Sequence, residues 1–170
     1  KKVSLASAAT VTGASASTGW VNGNLEKFIA ASTAAKSFEI GDAASYTPAD
    51  LTFAGTTNGT GSLTAFTVGT DHPQIASSTI TASKSVNRFW SIVNSGVTGF
   101  TSYSGTFNFV TSDIDAGSVG NTGSFVIAKY ISPTWALGTI GSRTTTSTQI
   151  TGATTFGEYQ IGETVSGYVW

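Results

Sequence analysis

From Ser37 to Glu163 the sequence breaks into short apolar–polar alternations, each stopped within about ten residues by Gly, Asn, Ser or Asp. No other feature constrains the fold as tightly. A surface helix needs apolar residues at three- and four-residue spacing over several turns. Such spacing occurs at Leu25, Phe28 and Ile29, in an Ala-rich setting that favours helix. The same segment also alternates, with Trp20, Asn22, Asn24 and Glu26 opposite Val21, Leu25, Lys27 and Ile29. We read it as a strand followed by a turn over residues 30–35.

The stretches SFEIG, DLTFAG, SLTAFTVG, NRFWSIVNSG, GTFNFVTS, SFVIAKYI, TFGEYQIGE and VSGYVW read as further strands. Asn58-Gly59 predicts a hairpin turn, and Asp71-His72-Pro73 predicts another turn. Phe107 and Phe109 fall on one side of their strand. Phe125, Ile127 and Lys129 fall opposite Val126, Ala128 and Tyr130. NRFWSIV is apolar on both faces, with Phe89 and Val93 against Trp90 and Ile92. That suits the middle of a sandwich or a subunit contact, with Trp90 in the core. The Thr-rich stretch SRTTTSTQITGATT still alternates and reads as a solvated strand. The expected fold is all-β, an antiparallel β-sandwich of immunoglobulin-like or jelly-roll-like type. One domain over residues 14–170 is expected, preceded by an extended N-terminal strand over residues 1–13.

Charge narrows the partners. Only 10% of the 170 residues are charged and the formal net charge is -1, which excludes a basic nucleic-acid footprint or a polybasic membrane patch. No apolar run approaches the length of a bilayer span, and no signal peptide is visible, as expected for a mature or a cytoplasmic chain. Cys and Met are absent, which removes disulfide and thiolate chemistry and the most easily oxidised side chains. A surface built from Ser, Thr, Asn and Gly favours an extracellular location.

Few side chains offer chemistry. His72 is the single histidine, and its neighbour Asp71 points away from it in a turn or strand. No Gly-x-Ser-x-Gly elbow accompanies it, so no catalytic residue is assigned and no enzyme is expected. Asp113 and Asp115 sit two apart, with Gly117 and Asn121 after them. Oxygen ligands so placed make Asp113, Asp115 and Asn121 a weak calcium candidate. Asp and Gly are equally ordinary turn formers, and no other cofactor is expected. Paired carboxylates on one turn are poorly placed to flank a sugar. Asn58-Gly59-Thr60 matches a glycosylation sequon, but the turn explains the same residues. Lys27, Lys129, Glu26 and Glu158 supply groups for an isopeptide crosslink whose geometry no sequence reveals. Trp135, after Pro133, is the aromatic expected at the surface and the candidate glycan contact.

Four blocks carry a resemblance: GWVNGNLEKFI, SFEIGDAASYTPADLTF, SVNRFWSIVNSGVTGF and TTFGEYQIGE. Together they resemble, from Gly19 to Glu163, a β-sandwich module that recurs in large secreted cell-surface proteins of environmental bacteria. The motifs are structural, so the resemblance implies an extracellular sandwich and no catalysis. This chain is expected to stand alone as a self-assembling subunit.

The N-terminus suggests how. Odd positions read Val3, Leu5, Ser7, Ala9 and Val11. The segment is a first strand of its own sandwich, a disordered lead, or a donor strand that completes a neighbour's sheet. In the donor reading main-chain hydrogen bonds give affinity and Val3, Leu5, Ala9 and Val11 fill pockets. The small residues from Gly13 to Gly19 then form the hinge. The aromatic ending suggests Tyr168 and Trp170 as further interface residues. The expected function is therefore a structural subunit of an extracellular, pilus-like filament, with copies of itself as partners. The alternative is a monomeric carbohydrate-binding or adhesive module that contacts a surface glycan.

Overall fold

A computed structural model describes residues 1–165. The interface candidates Tyr168 and Trp170 lie outside the described residues. Fourteen strands form among the described residues: β1 (Lys2–Leu5), β2 (Val21–Asn22), β3 (Asn24–Ala31), β4 (Ala35–Phe38), β5 (Ile40–Gly41), β6 (Ala49–Gly55) and β7 (Asn58–Val68). They continue as β8 (Ile80–Ser95), β9 (Phe100–Asn108), β10 (Val126–Ile131), β11 (Thr134–Leu137), β12 (Thr139–Arg143), β13 (Ser147–Ala153) and β14 (Glu158–Thr164). The helical turns among the described residues are short 3₁₀ pieces, so the all-β reading of the alternation stands.

Two large sheets pack face to face. One has the order β1-β3-β7-β8-β14-β10-β11 and the other β12-β13-β9-β6-β4, with β2 and β5 as a small parallel pair. Within the large sheets all pairings are antiparallel except β1 with β3. Alternation explains the layers. Leu25, Leu63, Trp90, Ile92, Ile127 and Tyr159 point from the seven-stranded sheet into the core. Phe38, Leu51, Tyr103, Phe107 and Ile150 meet them from the five-stranded sheet. Trp90 is fully buried, and its indole N–H donates to the Thr47 carbonyl at 3.1 Å, which satisfies the one polar atom it carries inside. Burial pushes the Tyr159 hydroxyl well above its ordinary pKa, and the adjacent Tyr103 hydroxyl, to which it is hydrogen-bonded, adds to this.

Two local expectations are corrected. Asn58-Gly59 does not close a hairpin but opens β7. Since β6 and β7 belong to different sheets, the residues between them carry the chain across the sandwich. Gly59 has φ +74°, and a Cβ there would lie 2.5 Å from the Ala31 backbone nitrogen, so glycine serves a close strand approach rather than a two-residue turn. The N-terminal alternation from Val3 to Val11 is strand only over Lys2–Leu5; the chain then turns, with the Ala9 N–H donating to the Ala6 carbonyl.

Candidate functional site

Two places stand apart from the ordinary sandwich: the N-terminal edge and the outer face of the seven-stranded sheet. At the edge β1 lies parallel to β3, in register from Lys2 opposite Asn24 to Leu5 opposite Lys27. Lys2 Nζ reaches Glu26 Oε2 at 2.7 Å, and this cation holds the Glu26 carboxyl below its ordinary pKa. The strand is thinly attached. Val3 is 42% exposed, while Leu5, Ala9 and Val11 are half-buried, with Leu5 and Val11 touching the core. The predicted pocket-filling face thus splits: Val3 faces water and the other three lie on the chain's own body. Beyond them the Ser15, Ser17 and Thr18 hydroxyls bond to one another.

On the outer face, a loop between β7 and β8 packs against Phe89, Tyr130, Trp135 and Gln160. His72 pins it, at 3% exposure. Its N–H donates to Gln160 Oε1 at 2.9 Å, its Nδ1 accepts the Gln74 N–H at 3.0 Å, and its Nε2 lies 2.7 Å from Glu158 Oε2. With Nδ1 accepting, Nε2 carries the proton and donates to the carboxylate. The ring sits among Phe89, Tyr130 and Trp135, with centroids 4.8–5.0 Å away. Gln160, fully buried, spends its amide on Asp71 Oδ1 and the Val86 carbonyl. Burial raises the Asp71 carboxyl above its ordinary pKa, with Asp115 adding to this and the Ser85 and Gln160 bonds opposing it.

Where the loop ends, a row of side chains crosses the sheet. Phe66 pairs with Ser91, Ser91 with Glu158, Glu158 with Tyr130, and Tyr130 with Trp135. Directly paired residues share a face about 5 Å apart, so five strands contribute to one line. Below it opens a trough of about 490 Å³ lined by Ser91, Tyr130 and Glu158 together with Val93, Ile131 and Phe156. Val93 and Ile131 are 54% and 45% exposed. Trp135, expected as the exposed platform, is half-buried in this line; its indole N–H donates to the Gln74 carbonyl at 3.0 Å and to Ser77 Oγ at 3.2 Å. Tyr130, not Trp135, lines the trough.

The calcium candidates do not converge on one point. Asp113 grips the Arg88 guanidinium through two bonds, 2.8 Å to Nε and 3.2 Å to Nη2. Asp115 accepts the Ser85 N–H at 2.8 Å and the Asn87 amide at 2.9 Å. The Asn121 side chain bonds to Glu163. Among the described residues no group of three or more His, Cys, Asp or Glu is arranged to hold a metal ion. Arg88 is 1% exposed, and its parity with Trp90 and Ile92 in its strand is the sequence signal for that burial. An inward arginine demands a counter-charge, and Asp113 and Asp42 supply it.

No protein-family profile, no curated protein and no solved structure matches the chain. The fold and its surfaces define the class: an all-β sandwich with a short parallel edge strand and an amphiphilic trough on one outer face. Among the described residues no helix is long and apolar enough to cross a membrane.

Proposed function

We propose that the chain is a structural subunit of an extracellular bacterial filament, joined to copies of itself by exchange of β1. The observation that carries this reading is the attachment of β1: one short parallel strand on the open edge of β3, with Val3 left 42% exposed. An edge strand of this kind forms the same bonds with the β3 of any copy, so exchange costs little in contacts. Residues 6–19 supply the tether. Fully extended, these residues reach about 46–50 Å, well beyond the radius of gyration of a domain of this size, about 15 Å. The weakly charged Ser/Thr surface lowers the desolvation cost of packing against copies of itself. The low charge and the resemblance to secreted modules support the extracellular location.

Competition from the chain's own β1 sets the conditions. A short flexible tether holds β1 at an effective concentration on the order of millimolar. Linear assembly therefore dominates near or above that concentration, as on a crowded surface. The test is electron microscopy of the full chain at millimolar concentration beside a chain lacking residues 1–13, with a synthetic peptide of residues 1–13 added to the latter. Filaments from the full chain, single particles from the truncated one, and capture of the peptide by the truncated chain are the expected results. Single particles from both, after time allowed for opening and exchange, refute the filament.

A further inference from the structure

The geometry points to the outer-face trough as a binding site for an uncharged sugar, a reading independent of β1 exchange. Three neighbouring strands place Ser91, Glu158 and Tyr130 side by side. Glu158 is held from one side, because His72 Nε2 donates to Oε2 at 2.7 Å and leaves Oε1 for another donor. Ser91 is 3% exposed, lines the trough, and its hydroxyl makes no hydrogen bond to another group among the described residues. The Tyr130 hydroxyl is equally without a partner there. Both hydroxyls are therefore open to a ligand that replaces the water bonded to them. Val93 and Ile131 add exposed apolar surface to the same trough.

The chemistry of these walls selects the ligand. Glu158 is the single charged residue lining the trough, so a phosphate, sulfate or carboxylate meets repulsion with no cation to offset it. An apolar peptide leaves Ser91, Tyr130 and Glu158 Oε1 unpaired. An organic cation finds a single carboxylate, half of which is already bonded to His72. A hexose unit presents hydroxyls at its rim and C–H groups on its faces, and so meets both kinds of wall. A trough of about 490 Å³ is of the size that takes a small ligand, and its open shape admits the side of a longer glycan chain.

The test is a titration of the isotope-labelled chain with cellotriose, maltotriose and N-acetylchitotriose to tens of millimolar, followed by amide NMR, alongside an array of neutral and acidic glycans. Saturable shifts centred on Ser91, Tyr130 and Glu158 are expected with at least one neutral glycan. Tyr130→Ala should weaken that binding by about tenfold or more. Ser91→Val, whose branched side chain suits a strand, should weaken it as well while keeping the amide spectrum of a folded sandwich. No saturable shift with any neutral glycan, shifts centred elsewhere, binding only to acidic glycans, or unchanged affinity in a folded Ser91→Val chain would each overturn the inference.

Discussion

Replacing Arg88 with Met tests the polar anchor at the end of the sandwich. Methionine keeps most of the aliphatic stem, so packing changes little and the charge is what is lost. Arg88 is 1% exposed and its guanidinium spans three partners: Asp113 through two bonds, Asp42 Oδ2 at 2.7 Å, and Thr67 Oγ1 at 3.3 Å. Its removal strands the Asp113 carboxylate with the Val110 N–H as its remaining bond, and leaves Asp42 with the Ala44 and Ser45 N–H groups. Breaking a buried pair from one side costs about 3–5 kcal/mol. For a chain of this length each kcal/mol moves the midpoint by about 2–4 °C, so the melting temperature should fall by about 6–20 °C. The pH dependence follows from Asp42. Burial pushes its carboxyl up, but the Ala44, Arg88 and Ser45 bonds outweigh this and hold it below its ordinary value. A depressed carboxyl stabilises the fold above its unfolded pKa and loses that contribution as pH falls through the folded value. The gap between the parent chain and Arg88→Met should therefore be widest at neutral pH and narrow below about pH 4. Urea unfolding followed by circular dichroism at pH 7 and at pH 3 reads both quantities. A loss under about 1 kcal/mol at pH 7, or a gap that widens in acid, would refute the reasoning.

Two further expectations concern the sandwich. Asp71→Asn keeps an oxygen for Ser85 Oγ and Gln160 Nε2 while removing a charge that burial disfavours; because a raised carboxyl destabilises the fold once ionised, the variant should match or exceed the parent at pH 7 and show a flatter stability curve between pH 7 and about 4, and a loss above about 1 kcal/mol counts against it. Gly61→Ala places a Cβ 2.3 Å from the Gly96 carbonyl carbon and the Val97 nitrogen, which are backbone atoms unable to step aside; thermal unfolding should show a loss of about 1–3 kcal/mol, and an unchanged midpoint contradicts the strand contact.

How much of this was legible in the sequence depends on distance along the chain. Alternation is local, so the strand around Leu25 to Ile29, the core position of Trp90, and the shared side of Phe107 and Phe109 could all be read from neighbours. Pairing is not local. Nothing in Lys2–Leu5 says that it lies parallel to a strand some twenty residues later, because the pairing is decided by which edge remains open after β3 and β7 have joined. Asn58-Gly59 has the composition of a hairpin turn, yet the sheet change between β6 and β7 overrides it. The trough was hidden for the same reason: Ser91, Tyr130 and Glu158 become neighbours only through the order β8-β14-β10. Arg88 is the instructive miss. Its place between Val86 and Trp90 on an inward register demands a buried counter-charge, which Asp113 supplies from a distant part of the chain.

The two proposed roles occupy different strands, and this matters physically. β1 is separated from β8 by β3 and β7, about 14 Å at ordinary strand spacing, and from β14 by about 19 Å. Exchange of β1 therefore leaves the row of Ser91, Glu158 and Tyr130 untouched, and a chain without residues 1–13 keeps its trough. The converse also holds, since Tyr130→Ala removes nothing from the β3 edge. An open trough with one carboxylate and a few hydroxyls offers few bonds, and so holds one sugar weakly. In the proposed fibre the same weak site recurs once per subunit, and a polymeric glycan that spans several sites binds with the gain of repeated tethered contacts. Assembly and sugar recognition in one small sandwich then support each other without sharing a residue: the edge sets how many sites are presented, and the outer face sets what they hold.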